Sequence, residues 1–155
     1  MAKIKLKIFL KAANELLLVF LQFFIISLHF FKLEFLPQKQ IIQESPFSYF
    51  LGILIIISAL IIMLVSIKDL GRNFSPFPRP INNLVTTGIY RFTRHPMYYS
   101  LIFISIGVFI IKLSIYYLFL TISLALVIKF KIALEEQYLM NKFKNYLIYK
   151  NHVKV

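Results

Sequence analysis

The sequence has no cysteine. This absence excludes disulfides, thiol catalysis and metal sites built on cysteine ligands. The three histidines, at positions 29, 95 and 152, are scattered and form no HExxH or similar ligand pattern, so we expect no metal site. The sequence also has no GxGxxG and no alternation of strand and helix patterns, which argues against a Rossmann domain.

Charged residues are scarce, at 15% of the chain, against about 25% in soluble proteins. Hydrophobic residues make up 59%, the mean hydropathy is +0.78, and the apolar residues form long runs with no solvent-facing stripe. These features predict an integral membrane protein, and 155 residues suit a single membrane domain spanning 1–155. The net charge of +12 flanks the apolar runs, so it indicates membrane topology and contact with anionic lipid rather than a nucleic-acid partner.

Four candidate transmembrane spans are predicted, at 12–31, 47–67, 97–111 and 114–132. The last two lie in one run of 32 residues, Met97 to Ile128, whose only charge is Lys112. As one helix this run would be about 48 Å long, so we expect a tight hairpin turning near Ile111–Ser114. The first span follows a basic start that resembles a signal peptide, but no small-x-small cleavage site follows it, and we expect it to be retained.

The distribution of basic residues predicts the orientation of these spans. Four spans place the N-terminus, the loop 68–96 and the tail on one face, with fifteen of the 18 basic residues. Lys32, Lys39 and Lys112 fall on the other. The positive-inside rule then predicts a multi-pass protein with both termini and the loop cytoplasmic. The apolar spacing of the tail predicts a helix over 133–149 that lies on the membrane surface or folds back over the site. The predicted fold class is therefore all-α, with about four transmembrane helices, a helical hairpin of spans three and four, and a C-terminal interfacial helix.

The four-span topology brings the polar residues of the chain together. It places Arg94, His95 and Pro96, at the start of the third span, on the same face as Glu135 and Glu136, at the end of the fourth. A cationic turn facing two carboxylates suits a zwitterion, whose carboxylate binds arginine or histidine donors and whose ammonium binds a carboxylate. Proline suits the first turn of a helix, where the free N–H groups favour an anion.

Each of these residues also has an ordinary explanation. Arg91 and Arg94 can be topological anchors, and nearby tyrosines can belong to an interfacial belt. Glu135 can pair with Lys131 one helical turn earlier. The residues alone therefore predict a polar site without identifying its ligand.

The stretch LVTTGIYRFTRHPMYYS resembles the hallmark LVTxGxYxxxRHPxY of the isoprenylcysteine carboxyl methyltransferase and phospholipid methyltransferase superfamily of membrane enzymes. The matching residues are Leu84, Val85, Thr86, Gly88, Tyr90, Arg94, His95, Pro96 and Tyr98. Downstream, EEQYL matches the family's paired glutamates, and YLIYKNHV matches its YxxYxxxV tail through Tyr146, Tyr149 and Val153. The resemblance covers roughly residues 68–155.

The resemblance implies methyl transfer from S-adenosyl-L-methionine to a lipophilic or membrane-delivered acceptor. That acceptor is of the isoprenylcysteine carboxylate type or the phospholipid type, and a small thiol is also compatible. The residues it assigns to cofactor binding are Tyr90, Arg94, His95, Pro96, Tyr98, Glu135 and Glu136. By resemblance, Arg94 and His95 lie near the methionine carboxylate, and Glu136, with Glu135, receives the ammonium. Arg94 and Glu136 are the residues assigned to catalysis, and Arg94 alternatively orients the acceptor.

The chain departs from the family pattern near its end. Lys144 follows Phe143 where the family has glycine, and the spacing to Tyr146 is one residue shorter. This departure puts in doubt how the tail closes over the site. Two other functions stay open: a membrane reductase-like protein binding NADPH, since sterol reductases resemble this family in their C-terminal regions, and a non-enzymatic membrane subunit.

Overall fold

The protein is a bundle of α-helices. The computed structural model describes residues 2–31 and 39–153, with side chains described from residue 13 onward. The helices are α1 (Ala2–Leu28), α2 (Pro46–Leu70), α3 (Pro96–Lys112), α4 (Ile115–Lys142) and α5 (Tyr146–His152). Short 3-10 turns lie at Gly71–Asn73 and Gly88–Arg91. Within the described ranges there is no strand, only one isolated bridge between Gln40 and Ser114, so the predicted all-α fold class is confirmed.

The helices have the length and composition of a membrane protein. The segment Pro46–Asn73, which is α2 with its following turn, and α4 are each 28 residues long and apolar enough to cross a bilayer. Helix α3 and the described part of α1, Ala13–Leu28, are apolar but shorter. Large apolar side chains cover much of the outer surface of α2, as contact with lipid requires. The chain is therefore a helical membrane protein.

The predicted hairpin joins α3 to α4. Leu113 ends α3 in the left-handed conformation, with φ 42°, and Ser114 precedes α4. The turn is held by the segment 39–41: the Ile41 amide donates to the Leu113 carbonyl at 2.7 Å, and the Ile115 amide donates to the Lys39 carbonyl at 3.1 Å. The two arms therefore return the start of α3 and the end of α4 to the same end of the bundle.

Helix α3 is central to the packing. It packs against α2 on one side and α4 on the other, and α1 packs against α4. The core between these helices consists of Ile25, Tyr98, Tyr116, Tyr117, Leu120, Leu124 and Ile128. This packing brings α1, α3 and α4 together around one apolar centre.

The tail differs from the single helix predicted over 133–149. Residues 133–142 continue α4, which is about 42 Å long at 1.5 Å per residue and exceeds a hydrocarbon core of about 30 Å. The extended backbone of Phe143 then ends the helix, and α5 starts at Tyr146. The last turns of α4, with Glu135 and Glu136, therefore extend beyond the length needed to cross. Lys32 and Lys154, which enter the charge distribution above, lie outside the described residues, as do the side chains of the N-terminal lysines.

Candidate functional site

The segment between α2 and α3 is anchored to the end of α2. The Ile89 amide donates to the Asp69 carboxylate at 2.8 Å. Gly88 has φ +60°, and a Cβ there would overlap the Asp69 carboxylate, so only glycine permits this approach. This anchor fixes the turn Gly88–Arg91, which lies shortly before Arg94, His95 and Pro96, here called the RHP residues.

The part of this segment at 74–87, here called the covering loop, folds over the same end of the bundle. Asn73 closes it, because its side-chain oxygen accepts hydrogen bonds from the Asn82 and Asn83 amides, both at 3.2 Å. The Lys142 ammonium, at the end of α4, donates to the carbonyls of Pro80 at 3.0 Å and Ile81 at 2.7 Å. The covering loop is thus held between the ends of α2 and α4.

The RHP residues stand at the start of α3. His95 precedes the helix, and its carbonyl accepts from the Tyr98 and Tyr99 amides at 3.1 and 3.2 Å. Pro96 is the first residue of α3. The N–H of a residue at this position has no partner within the helix, so proline loses no hydrogen bond there. The His95 ring stacks on the Tyr98 ring with centroids 5.9 Å apart. His95, Pro96 and Tyr98 are all buried.

A charged cluster of four residues joins this turn to α4 and α5. Glu136 accepts from Arg94 Nε and lies 3.0 Å from Arg94 Nη2, while His95 Nε2 is 3.5 Å from the same carboxylate oxygen. Its other oxygen accepts from the Lys150 ammonium at 2.7 Å. The hydrogen bond with the His95 ring, reinforced by Lys150 and by the charge of Arg94, holds the pKa of the Glu136 carboxyl well below its usual range. Glu136 is therefore ionised at neutral pH and is bound by Arg94, Lys150 and the His95 ring.

The chain end folds back over this cluster despite its departure from the family spacing. Arg94 Nη1 donates to the backbone carbonyls of Lys150, at 3.3 Å, and Val153. The Tyr149 hydroxyl donates to the Tyr90 carbonyl at 2.6 Å. Helix α5 therefore forms a cover on the RHP turn, held by one arginine and one tyrosine.

A crevice lies between the covering loop, the start of α3 and the end of α4. The cavity inside it has a volume of about 70 Å³, below the roughly 300–1,000 Å³ typical of small-molecule sites, and the rest of the crevice is open to solvent. Five of the seven predicted cofactor residues line it: Tyr90, Arg94, His95, Tyr98 and Glu135. Pro96 and Glu136 are outside its lining.

The two adjacent glutamates have different surroundings. Successive residues of a helix point about 100° apart, so Glu136 faces the charged cluster while Glu135 faces the crevice. The Tyr98 hydroxyl hydrogen-bonds to Glu135, and the buried Lys131 lies near it. A carboxylate offers about four acceptor positions, and among the described residues Glu135 has far fewer donors than Glu136. Glu135 therefore has acceptor capacity left toward the crevice.

Tyrosines form much of the remaining wall. The Tyr146 hydroxyl is buried in the wall of the crevice, and it lies close to the Glu136 carboxylate. Burial raises the pKa of Tyr149 to about 12 and also raises the pKa of Tyr90 and of Tyr146. These hydroxyls therefore stay protonated at neutral pH, and the Tyr146 hydroxyl suits a polar atom of a bound molecule.

Three contributors to the site were not predicted from the sequence. Asp69, Arg79 and Lys150 are single charged residues in segments rich in basic charge, and no motif distinguishes them. Among the described residues no group of histidine, aspartate or glutamate could hold a metal ion.

Residues 47–146 match a family model described as phospholipid methyltransferase. The matched segment runs from α2 to the first residue of α5 and includes the covering loop and all seven predicted cofactor residues. Neither a curated protein nor a solved structure matches the chain.

Proposed function

Because the chain belongs to the phospholipid methyltransferase family, we propose that it transfers a methyl group from S-adenosyl-L-methionine to the amine of a membrane phospholipid. The observation that best supports this proposal is the crevice itself. It combines a histidine and an arginine at the start of α3 with an available carboxylate, Glu135, at the end of α4. This pairing suits the amino acid end of the cofactor, which carries one charge of each sign.

In this proposal, different residues of the crevice bind the two charged groups of the zwitterion. Glu135 accepts hydrogen bonds from the ammonium, because its carboxylate faces the crevice with acceptor positions left. His95 and the Tyr146 hydroxyl donate to the carboxylate. Tyr90 and Tyr98 form the aromatic wall. When bound, the cofactor supplies an electrophilic methyl group.

We assign Arg94 and Glu136 to positioning within this site. Most donors of Arg94 are engaged by Glu136 and by the Lys150 and Val153 carbonyls. A guanidinium held in this way is rigid, and it fixes His95 at the edge of the crevice. Their contribution is to hold the binding groups in one geometry, which is the main demand of a displacement reaction.

The acceptor amine must reach the crevice without its proton, because its nitrogen lone pair forms the new bond to the methyl carbon. A bound cofactor would supply the methyl group and would keep the electron pair of its carbon–sulfur bond on sulfur. The protein's task is to align nitrogen, carbon and sulfur and to exclude water. The covering loop and α5 provide this exclusion.

We further propose that the chain crosses the membrane four times with the crevice on the cytoplasmic face. The chain has no cysteine, so single introduced cysteines report the side on which they lie. In sealed vesicles, exposed Lys144→Cys should react with an impermeant maleimide from the cytoplasmic side only. Exposed Ile42→Cys should react from the opposite side only. Reaction of both from one side would contradict the four-span topology.

The cofactor is tested by calorimetric titration of the purified protein with S-adenosylhomocysteine and, in parallel, with NADPH. Binding of the first alone supports the proposal, and binding of NADPH alone supports the reductase-like alternative. A radiolabelled methyl donor then tests acceptors. Label should enter phosphatidylethanolamine in vesicles but not a prenylcysteine carboxylate. Label on the prenylcysteine instead would contradict the amine acceptor.

Variants of the two glutamates test the assignment of roles. Glu135→Gln should lower the affinity for S-adenosylhomocysteine by about tenfold or more, as expected for losing one charged partner, with little change in the melting temperature. Glu136→Gln should lower both the affinity and the melting temperature, since it takes the carboxylate away from Arg94, Lys150 and the His95 ring. Gln137→Ala, on the exposed side of the same turn, is the matched control. If Glu135→Gln binds like the control, the ammonium site is not at Glu135.

A further inference from the structure

Glu15, on α1, is an acidic residue in an unusual environment. It lies in the first predicted span and is only 2% exposed. Its carboxylate forms an ion pair with Arg79 Nε and accepts a hydrogen bond from the Tyr138 hydroxyl. A buried carboxylate is costly unless it is paired and hydrogen-bonded, so these two contacts determine where Glu15 can lie.

One of the two partners of Glu15 lines the crevice, and the other lies beside a residue that does. Arg79 is in the covering loop and lines the crevice. Tyr138 is on α4, one residue before Leu139, which lines the crevice, and three residues after Glu135. Glu15 therefore connects the covering loop to the helix that carries the carboxylate side of the site.

The covering loop is held at three successive residues near its middle. Arg79 is held by Glu15, and the carbonyls of Pro80 and Ile81 are held by Lys142. Both attachments come from α1 and α4, whereas the loop itself runs from α2 to α3. Its position over the crevice therefore depends on helices other than the two that it connects.

Helix α1 lies outside the segment 47–146 that matches the family. Its contact through Glu15 therefore attaches the covering loop to a helix outside the matched segment. The Arg79 side chain is 53% exposed and the Glu15 side chain is 3% exposed. Water therefore reaches the ion pair from the side of the covering loop. Such a contact can release the loop without unpacking α1.

We propose that Glu15 is a positioning residue that holds the covering loop over the cofactor crevice through Arg79. Binding of the cofactor is then stronger because the loop is already in its closed position. The effect on the cofactor rests on the proposed function, whereas the effect on the loop does not.

The position of the loop is measured by electron spin resonance distances. Spin labels at Pro76→Cys, in the loop, and Asn141→Cys, on the exposed side of α4, are unique because the chain has no cysteine. Glu15→Gln and Arg79→Gln should each broaden the distance distribution and lower the affinity for S-adenosylhomocysteine by up to about tenfold, the size expected for one charged hydrogen bond. Arg79→Lys, which keeps the charge, should retain most of the narrow distance distribution and most of the affinity.

The matched control is Arg72→Gln, which removes one exposed positive charge before the same loop. The double variant Glu15→Gln with Arg79→Gln should be no worse than either single variant, because both remove one contact. A lower melting temperature with an unchanged distance distribution would assign Glu15 a structural role and overturn the proposal. A broadened distribution with unchanged affinity would also overturn it. If the parent protein fails to bind S-adenosylhomocysteine, the proposed function fails, and the distances alone then decide whether Glu15 holds the loop.

Discussion

The helix pair α2–α3 and the helix pair α1–α4 are held together by different means. Where α2 meets α3, a Cβ on Gly52 would lie 2.7 Å from the Gly107 carbonyl oxygen, and one on Gly107 would lie 2.9 Å from the Gly52 carbonyl oxygen. The buried hydroxyls of Ser66 and Ser100 bond within their own helices. Among the described residues no side-chain hydrogen bond joins α2 to α3.

The α1–α4 pair shares the apolar core and adds hydrogen bonds between polar side chains of the two helices. Lys131 donates to Gln22 at 2.5 Å, and Tyr138 donates to Glu15. The Tyr116 hydroxyl donates to the Leu28 carbonyl at 2.7 Å. In lipid, helices associate either through close backbone approach at small residues or through interhelical hydrogen bonds. The α2–α3 pair thus depends on close backbone approach at small residues, whereas the attachment of α1 to α4 also depends on hydrogen bonds between their side chains. Added volume should therefore harm the first, and loss of polar groups should harm the second.

The largest expected effect comes from adding volume to the α2–α3 pair. Gly107→Leu places a side chain against the Gly52 carbonyl and Ile56, and we expect a loss of about 3 kcal/mol or more, the upper range for overpacking. The displaced α2 would also carry Asp69 away from the turn before the RHP residues. Circular dichroism melts and size-exclusion profiles in detergent measure the effect.

Phe103→Leu, at an exposed position of the same helix, is the control for Gly107→Leu. It should melt like the parent protein. A Gly107→Leu variant that keeps the parental melting temperature would mean that α2 and α3 are not closely packed.

The second largest effect should come from the charged cluster where α4 meets α3 and α5. Glu136→Gln removes the acceptor of Arg94, His95 and Lys150, at a cost of about 2 kcal/mol near neutral pH, typical of charged hydrogen bonds. Because the folded pKa of Glu136 is lowered, its contribution is complete above the ordinary glutamate pKa of about 4.3 and is lost as pH falls below it. The difference in melting temperature between parent and variant should therefore shrink below about pH 5. A difference that stays constant from pH 7 to pH 3.5 would contradict the ionised cluster.

The third effect tests polar association of α1 with α4. Lys131→Met leaves the buried Gln22 without its partner and should cost about 1–2 kcal/mol. Gln22→Leu combined with Lys131→Met should cost less than Lys131→Met alone, because neither partner is then left unsatisfied. A double-mutant cycle on unfolding free energies measures the coupling. Strictly additive losses would show that the hydrogen bond does not join the two helices.

Much of the helical architecture follows from patterns visible in the sequence. Runs of about 20 apolar residues predict helices, and a 32-residue run with one central lysine predicts the α3–α4 hairpin, which the structure contains. The end of α4 was less predictable. The charges after Ile128 suggest a separate surface helix over 133–149, yet helical geometry continues to Lys142 because no residue before Phe143 interrupts it.

For the site, the sequence likewise predicts which residues come together but not which contacts they make. A hairpin necessarily brings Arg94 near Glu135 and Glu136. Which glutamate binds the arginine depends on a 100° rotation and on the position of Lys150, and neither is encoded in a local motif. The contact between Glu15 and Arg79 spans 64 positions in sequence, and no pattern links a lone acid in one helix to a lone arginine in a loop.

The smallest effect concerns the end of α1 farthest from the crevice. His29 Nε2 lies 2.8 Å from the Ser105 hydroxyl, which in turn lies 2.8 Å from Thr121 Oγ1. His29→Leu removes this contact between helices and the bond of His29 Nδ1 to the Ile25 carbonyl at 2.9 Å, while Ser105 keeps Thr121 as a partner. We therefore expect a loss near the average of about 0.6 kcal/mol for hydrogen bonds between membrane helices. Affinity for S-adenosylhomocysteine should not change, because no residue of this group lines the crevice. Comparison with Glu15→Gln, on the same helix, then separates the two ends of α1: both variants weaken its attachment, and only the one at the covering loop should weaken binding. Equal effects on binding would mean that α1 acts on the crevice through its packing as a whole rather than through Glu15.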